Sequence, residues 1–160
     1  MDKVYLESTI PNYLASKESV LLTTLSKQAS TREWWRKYSN KYELVVSEAV
    51  IDEIRMGNQT EAKKRLSFVS GAAVLVQNPK VLSLHAMYVK KFGLSRKEQV
   101  DIIHIAFAVA YGIDYLLTWN CKHINNPVIV EKMHLVNNRI NEKSPLIMTP
   151  QAFLEIMKGE

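Results

Sequence analysis

The sequence predicts an α/β protein, a three-layer α/β/α sandwich built around a central and mainly parallel sheet. Short apolar runs such as residues 4–6 and 44–46 are long enough for one strand each, and segments with helical signals separate them. The run 100–110 has apolar side chains all around a helical axis, which is typical of a helix covered on every side. Short buried strands that alternate with helices indicate a parallel sheet with helices on both faces.

In chain order, residues 4–6 predict the first strand, and a stretch rich in Ser, Thr and Lys predicts a helix over residues 16–36. Trp34 and Trp35 near its end are expected as core or groove anchors rather than as a platform for bases. Residues 44–46 predict the second strand. Ser47 can cap the next helix and Gly57 can end it. The basic segment 63–65 is expected on the solvated face of a further helix.

The second half of the chain has the clearer boundary signals. Residues 74–76 predict a strand and residues 79–91 a helix. Ser95 begins a capping box that starts the apolar helix, and Gly112 ends that helix. Residues 115–118 predict the fourth strand and residues 146–148 the last one. Two helices are predicted to begin at an N-cap followed by proline, at Asn126-Pro127 and Thr149-Pro150.

The composition, with 47% hydrophobic and 23% charged residues, is that of a globular protein, and we expect a single domain over residues 1–160. No apolar run reaches the roughly 18 residues of a membrane span, and the N-terminus lacks the apolar core of a signal peptide. The single Cys121 excludes an internal disulfide framework and fits a reducing, cytoplasmic compartment. The net charge of +5 weakly favours a polyanionic partner.

Acidic and amide side chains are predicted to meet at one edge of the sheet. Glu7 directly follows the first strand, and Asn120 lies two residues after the strand 115–118. Asp101 is in the second turn of a helix that joins this strand through a tight turn at Gly112, so the helix start returns beside the strand's end. Ligands of open parallel sheets bind outside the carboxyl ends of the strands, and we expect a site there.

Glu53 is the fourth candidate, because it falls in the apolar sector of its helix whereas Glu48 and Asp52 share the opposite arc. The residues alone leave two interpretations open. Asp101 is either a structural acid satisfied by a cap or an arginine, or a cation ligand. Glu53 is either a snorkelling or arginine-paired glutamate, or a cation ligand.

Oxygen ligands without a cysteine or histidine majority suit Mg²⁺ or Mn²⁺, and two such ions can hold the attacking and leaving oxygens of a phosphodiester displacement.

Five segments of the chain resemble the PIN domain, and within it the VapC-like group of toxin nucleases. They are residues 4–9 (VYLEST), 46–54 (VSEAVIDEI, with Glu53 at the acid), 101–106 (DIIHIA), 115–120 (YLLTWN) and 148–154 (MTPQAFL). The most specific part is D-x-x-H-I-A followed by G-x-D-Y-L-L-T-W-N-x-x-H. Its Thr-Trp-Asn form resembles a variant subgroup of the family.

The resemblance implies a PIN-like fold and a metal-dependent endoribonuclease. Glu7, Glu53, Asp101 and Asn120 would hold one or two Mg²⁺ or Mn²⁺ ions, and a water activated there would cleave RNA and leave 5′-phosphate and 3′-hydroxyl ends. It also implies a toxin role, a small antitoxin protein that blocks the cleft, and a homodimer. Glu7 and Asn120 stand where the family mostly has Asp, so the four residues carry three negative charges.

These two departures keep a second hypothesis open, a catalytically degenerate PIN fold that binds RNA or a partner protein without cleavage. A third hypothesis, a DNA nuclease of the flap-processing kind, is disfavoured because the short chain has no room for a helical clamp.

Several residues near the motifs have two interpretations each. His104 either bonds a carboxylate or packs in the core, and Thr118 either orients a ligand or simply ends its strand. The Cys121 and His123 pair has a zinc-like spacing that no other cysteine supports. A basic group either contacts phosphates or solvates the surface: Lys90, Lys91, Arg96 and Lys97.

Overall fold

The computed structural model describes residues 1–159 and contains a five-stranded sheet. The strands are β1 (Lys3–Leu6), β2 (Glu43–Ser47), β3 (Ala73–Leu75), β4 (Tyr115–Leu117) and β5 (Leu146–Met148). Their order is β3-β2-β1-β4-β5, and every neighbouring pair is parallel. The short apolar strands lie side by side with their carboxyl ends at one edge, so the predicted α/β class with a parallel sheet is confirmed.

Helices flank this sheet in two groups. The chain from residue 1 to 159 forms α1 (Thr9–Ala15), α2 (Leu22–Tyr38), α3 (Glu48–Ile54), α4 (Gln59–Val69), α5 (Pro79–Phe92), α6 (Arg96–Ala110), α7 (Pro127–Arg139) and α8 (Pro150–Lys158), with a 3-10 turn at Ser39–Lys41. Helix α5 packs against α6 and α7, while α2 packs against α1 and α8, and α1 against α4. The two groups cover the two faces of the sheet, as the three-layer prediction requires.

The predicted helix starts are set by local hydrogen bonds. Ser47 accepts from the backbone N–H of Val50, and Thr149 accepts from that of Ala152. Asn126 caps α7 directly before its proline. These side chains satisfy backbone donors that a helix start otherwise leaves free. The capping box of α6 forms only between side chains, because the Ser95 hydroxyl donates to Glu98 and makes no backbone cap.

The predicted helix over residues 16–36 begins later, at Leu22, and is preceded by α1, which the sequence analysis missed. Side chains of α2 hold the segment before it in an irregular conformation. Gln28 donates to the backbone carbonyl of Lys17 and to the Ser16 hydroxyl, and Arg32 donates to the Ser16 carbonyl. These contacts take up backbone groups that a longer helix would use itself.

The burial of the apolar helix α6 begins only at Ile102. Seven of its residues are buried, all within 102–109, whereas Val100 is 63% exposed and Asp101 is partly exposed. The prediction of all-round cover over residues 100–110 is therefore wrong at Val100 and Asp101. Asp101 lies at this boundary between core and solvent.

Two further predictions concern the large and basic side chains. Trp34 is fully buried and lies edge-on to Phe153, which confirms it as a core anchor. The predicted solvated face at residues 63–65 is wrong for Arg65, whose guanidinium donates to the Ile54 and Met56 carbonyls at the end of α3. No helix within residues 1–159 is long and apolar enough to cross a membrane.

Candidate metal centre

The candidate site lies where the chain reverses its direction across the sheet. From β1 the strand order runs one way through β2 and β3, and the next strand, β4, pairs on the other side of β1. Glu7 directly follows β1, Thr118 directly follows β4, and α3 with Glu53 directly follows β2. In parallel α/β sheets, ligands bind in the crevice at such a reversal point.

Glu7 is buried at this point and fixed by hydroxyl groups. Its Oε1 accepts from Thr9 Oγ1 at 2.6 Å and from Thr118 Oγ1 at 2.6 Å, and its Oε2 accepts from Ser8 Oγ at 2.9 Å. Only 3% of Glu7 is exposed. Thr118 thus orients Glu7 rather than merely ending its strand. Hydroxyl donors hold a carboxylate in place without neutralising its charge.

Glu53 meets Glu7 across the same serine. Its Oε2 accepts from Ser8 Oγ at 2.5 Å, and its Oε1 accepts from His104 Nε2 at 2.6 Å. Burial raises the pKa of Glu53. The hydrogen bond and the charge of His104, together with the Ser8 hydroxyl, lower it by more than burial raises it, so the pKa lies below its ordinary value. The Ser8 hydroxyl carries one proton and lies within hydrogen-bond distance of both carboxylates. Glu7 and Glu53 therefore converge on the same point.

His104 is buried and bonded at both ring nitrogens. Nε2 contacts Glu53, and Nδ1 lies 2.7 Å from Tyr5 Oη, which in turn lies 2.6 Å from Ser47 Oγ. Of the two interpretations of His104, the bond to a carboxylate is confirmed, and the ring is buried in the core as well. Burial lowers the pKa of His104, but the hydrogen bond to Glu53 and the surrounding acidic charges outweigh burial and raise it. Ligand atoms of Glu7, Glu53 and His104 lie within 4.8 Å of one another, yet His104 has no free nitrogen.

Asp101 lies one helical turn before His104 and pairs with a residue of the loop after β4. Its Oδ2 is 2.7 Å from His123 Nδ1. The partner is therefore neither the cap nor the arginine that the sequence analysis considered. Asp101 is outside the converging group, although its charge contributes to the raised pKa of His104.

Asn120 lies on the same loop and is linked to both halves of the site. Its backbone N–H donates to Thr118 Oγ1 at 2.9 Å, and its side-chain Oδ1 accepts from the His123 backbone N–H at 2.9 Å. The structure thus brings Glu7 and Glu53 together directly, and it joins Asp101 to Asn120 through His123.

The donor set fits a hard divalent cation. Carboxylate and hydroxyl oxygens converge, and within residues 1–159 no lysine or arginine forms an ion pair with Glu7, Glu53 or Asp101. Histidines contact Glu53 and Asp101, but Glu7 has no basic partner among the described residues, and such a charge is costly in a buried site unless a cation neutralises it. Oxygen ligands of this kind suit Mg²⁺ or Mn²⁺.

Sequence reasoning missed several contributors to this site, among them Ser8, Tyr5 and His123. Ser8 could have been found because it lies between the acid and a threonine in the opening motif. Tyr5 carries a polar tip in an otherwise apolar buried strand, a pattern that signals a buried hydrogen-bond partner. The role of His123 could not be read locally, because its partner Asp101 is 22 residues away in the chain.

A cavity of about 560 Å³ adjoins the Asp101 and His123 pair. Two of its lining residues are basic, Lys97 at the start of α6 and Lys122 in the loop after β4. Neither lysine forms an ion pair with another described residue. The approach to Asp101 on the α6 side is therefore lined by two unpaired lysines together with the acidic Glu98.

No protein-family model and no curated protein matches the sequence. Solved structures do match. A chain of VapBC2 from Rickettsia felis, crystallised with a DNA fragment from their promoter, aligns with a TM-score of 0.60 and 14% identity over 92% of this chain and 98% of that chain. VapBC-1 from nontypeable Haemophilus influenzae aligns with a TM-score of 0.56, at the same identity and coverage. The parallel five-stranded sheet with its flanking helices is therefore a PIN-like fold, as in these neighbours.

Proposed function

We propose that the protein is a metal-dependent endoribonuclease of the PIN and VapC type. The observation that carries the proposal is the convergence of the Glu7 and Glu53 carboxylates on the Ser8 hydroxyl, at 2.9 and 2.5 Å, without a lysine or arginine among the described residues to pair with them. The PIN-like fold supports it, because four of the five segments that resemble the family, residues 4–9, 46–54, 101–106 and 115–120, fall on the elements that form this site.

In this proposal, Glu7 and Glu53 hold Mg²⁺ or Mn²⁺, and Asp101 and Asn120 complete the ligand set from the α6 side. A divalent ion bound there supplies Lewis-acid chemistry and an activated water for phosphodiester hydrolysis. Thr9 and Thr118 keep the Glu7 carboxylate in place by hydrogen bonds of 2.6 Å each. Lys97 and Lys122 hold the RNA phosphates by charge at the cavity beside Asp101.

Two substitutions that keep side-chain shape test the proposal, Glu53→Gln and Asp101→Asn. Each removes one negative charge, and each should lower Mn²⁺-dependent cleavage of a fluorescent RNA by at least about 100-fold. Asp52→Asn is the matched control, because Asp52 lies on the same helix as Glu53 but is exposed. Melting curves establish that the variants are folded. Full activity of both Glu53→Gln and Asp101→Asn would refute the assignment.

The alternative function, an RNA- or protein-binding module that does not cleave, has one observation in its favour. The Glu7 carboxylate already accepts hydrogen bonds on both oxygens, and Asn120 brings no charge. Calorimetric titration with Mn²⁺ separates the two candidates. The nuclease requires a saturable site that Glu53→Gln weakens, whereas the binding module shows no saturable metal binding.

We also propose that a small antitoxin protein binds this chain and that the chain forms a homodimer. The likeness of the fold to VapBC structures supports the first part. Co-expression with any short open reading frame found next to the gene should give a complex with reduced RNA cleavage, and sedimentation analysis of the chain alone should give a dimer mass. Separate elution of the two proteins would contradict the antitoxin proposal.

A further inference from the structure

We infer that Tyr5 and Ser47 are positioning residues, which fix the metal-binding carboxylate of Glu53 through His104. The inference rests on the proposed function, because it assigns Glu53 to a cation. None of the three supporting residues belongs to the proposed ligand set. They form a hydrogen-bonded series that begins at the N-cap of α3, passes through β1 and α6, and returns to α3 at Glu53.

The series is continuous and closed to solvent. Ser47 Oγ lies 2.6 Å from Tyr5 Oη, Tyr5 Oη lies 2.7 Å from His104 Nδ1, and His104 Nε2 lies 2.6 Å from Glu53 Oε1. Ser47 and Tyr5 are 0% exposed and His104 is 1% exposed. Water therefore cannot replace a lost partner without a rearrangement of the core, and each link depends on the one before it.

One end of the series has a fixed direction, because the Glu53 carboxylate accepts from His104 Nε2. The Tyr5 hydroxyl donates to Nδ1 of a neutral His104 ring and accepts from Nδ1 of a protonated one, and either hydroxyl can donate in the contact between Tyr5 and Ser47. In both cases the Tyr5 hydroxyl is the partner of Nδ1, and a buried ring nitrogen without a partner is unfavourable.

This arrangement fixes both the ring orientation of His104 and the carboxylate it faces. Without the Tyr5 hydroxyl, Nδ1 has no partner, and the ring is free to tilt away from Glu53. Glu53 then keeps only the Ser8 hydroxyl, which it shares with Glu7. Partners behind a metal ligand typically change metal affinity by about 10–100-fold when they are lost.

The test compares Tyr5→Phe with Tyr88→Phe. Tyr88 is also 0% exposed, and its hydroxyl donates to Asn137 Oδ1, away from the site, so both variants lose one buried hydrogen bond. Tyr5→Phe should raise the Mn²⁺ dissociation constant, measured by calorimetry, by at least about 10-fold. The Mn²⁺ concentration for half-maximal cleavage should rise by the same factor, with the rate at saturating Mn²⁺ largely restored. Tyr88→Phe should change neither constant.

A second pair of variants tests the next link. Ser47→Ala should also weaken Mn²⁺ binding, whereas Thr149→Ala should not, although both remove a hydroxyl that caps a helix. Imidazole ¹⁵N resonances of the metal-free protein provide a reading that needs no metal. The His104 Nδ1 signal should move in Tyr5→Phe and stay in Tyr88→Phe.

The outcomes separate this inference from the proposed function. If the wild-type protein binds no Mn²⁺, the proposed function fails, and the inference fails with it as a statement about metal binding. If the wild type binds Mn²⁺ and the folded Tyr5→Phe and Ser47→Ala variants bind it equally well, only the positioning role is overturned.

Discussion

At the scale of single residues, the site's acids are held by hydroxyls and imidazoles instead of by lysine or arginine. Ser8, Thr9 and Thr118 donate to Glu7, and the histidines at 104 and 123 contact Glu53 and Asp101. Serine and threonine orient a carboxylate without cancelling its charge. The affinity for a divalent cation should therefore follow the number of carboxylates.

Asn120 tests this dependence on charge. Asn120→Asp adds one carboxylate and keeps the oxygen that accepts from the His123 backbone N–H. We expect the Mn²⁺ dissociation constant to fall by roughly tenfold, because a further anionic ligand strengthens a hard-cation site. Calorimetry measures this dissociation constant. Asn40→Asp is the control, because it changes the net charge equally at an exposed position. Unchanged affinity in Asn120→Asp would place Asn120 outside the metal centre.

Asp114 provides a pH-dependent prediction away from the site. The hydrogen bond from Lys143 and that from the Lys3 backbone N–H lower the pKa of Asp114. Because the folded pKa is the lower one, the stabilisation is complete above the unfolded value of about 3.9 and is lost as the pH falls through the folded pKa.

Asp114→Asn should therefore lower the free energy of unfolding near pH 7 by at most about 1 kcal/mol, and the difference from wild type should vanish in acid. Urea unfolding at several pH values measures it. Lys143→Met should cause a similar loss, and the double variant should lose less than the sum of the two. A difference that persists unchanged at low pH would exclude this ion pair as its cause.

At the scale of elements, the turn between α6 and β4 places Asp101 beside the end of β4. Gly112 forms this turn with a φ of +64°, a left-handed conformation that side chains disfavour. A Cβ at Gly112 would contact no atom within 4 Å, so any cost of a substitution comes from the backbone alone.

Gly112→Ala should lower the free energy of unfolding by about 1 kcal/mol. Gly71 is the matched control, because its added Cβ also meets open space while its φ is not in the left-handed region. Gly71→Ala should be neutral or slightly stabilising, since alanine restricts the unfolded chain. Chemical denaturation of both variants measures the difference, and equal effects would contradict the explanation.

Elements with local signals could be predicted from the sequence, and those held by distant contacts could not. The starts of α7 and α8 follow from an N-cap and a proline that are adjacent in the chain. Helix α1 has no such signal, because Ser8 at its N-cap donates its hydroxyl to Glu7 and Glu53 instead of capping the helix. The same division holds at the site, where motif positions were readable but the contacts of Tyr5 and His123 were not.

At the scale of the whole molecule, the chain carries a net charge of +5, and its lysines lie at different places relative to the candidate site. Lys97 and Lys122 line the cavity next to Asp101. Lys158 belongs to α8, which starts at the carboxyl edge of the sheet after β5 and ends away from it. A polyanion that reaches the candidate site should therefore depend on the first two lysines more than on the third.

Lys97→Glu and Lys122→Glu should each weaken the binding of single-stranded RNA. Each should also make the slope of log affinity against log salt less steep by about 0.7, or by about twice that amount where the new negative charge repels a phosphate. Lys158→Glu changes the net charge equally and should leave the slope near its wild-type value. Fluorescence anisotropy over a salt series measures all three. Equal effects at the three positions would mean that only the overall charge matters.

The position of β1 in the middle of the sheet has a consequence for protein synthesis. Its first partner, β2, leaves the ribosome soon after it, but β4 ends only at Leu117, and Thr118 follows. Until then one edge of β1 stays unpaired and Glu7 lacks its Thr118 donor. The growing polypeptide thus carries an open strand edge until β4 is made, and the pocket around Glu7 can be assembled only from the final third of the chain onward.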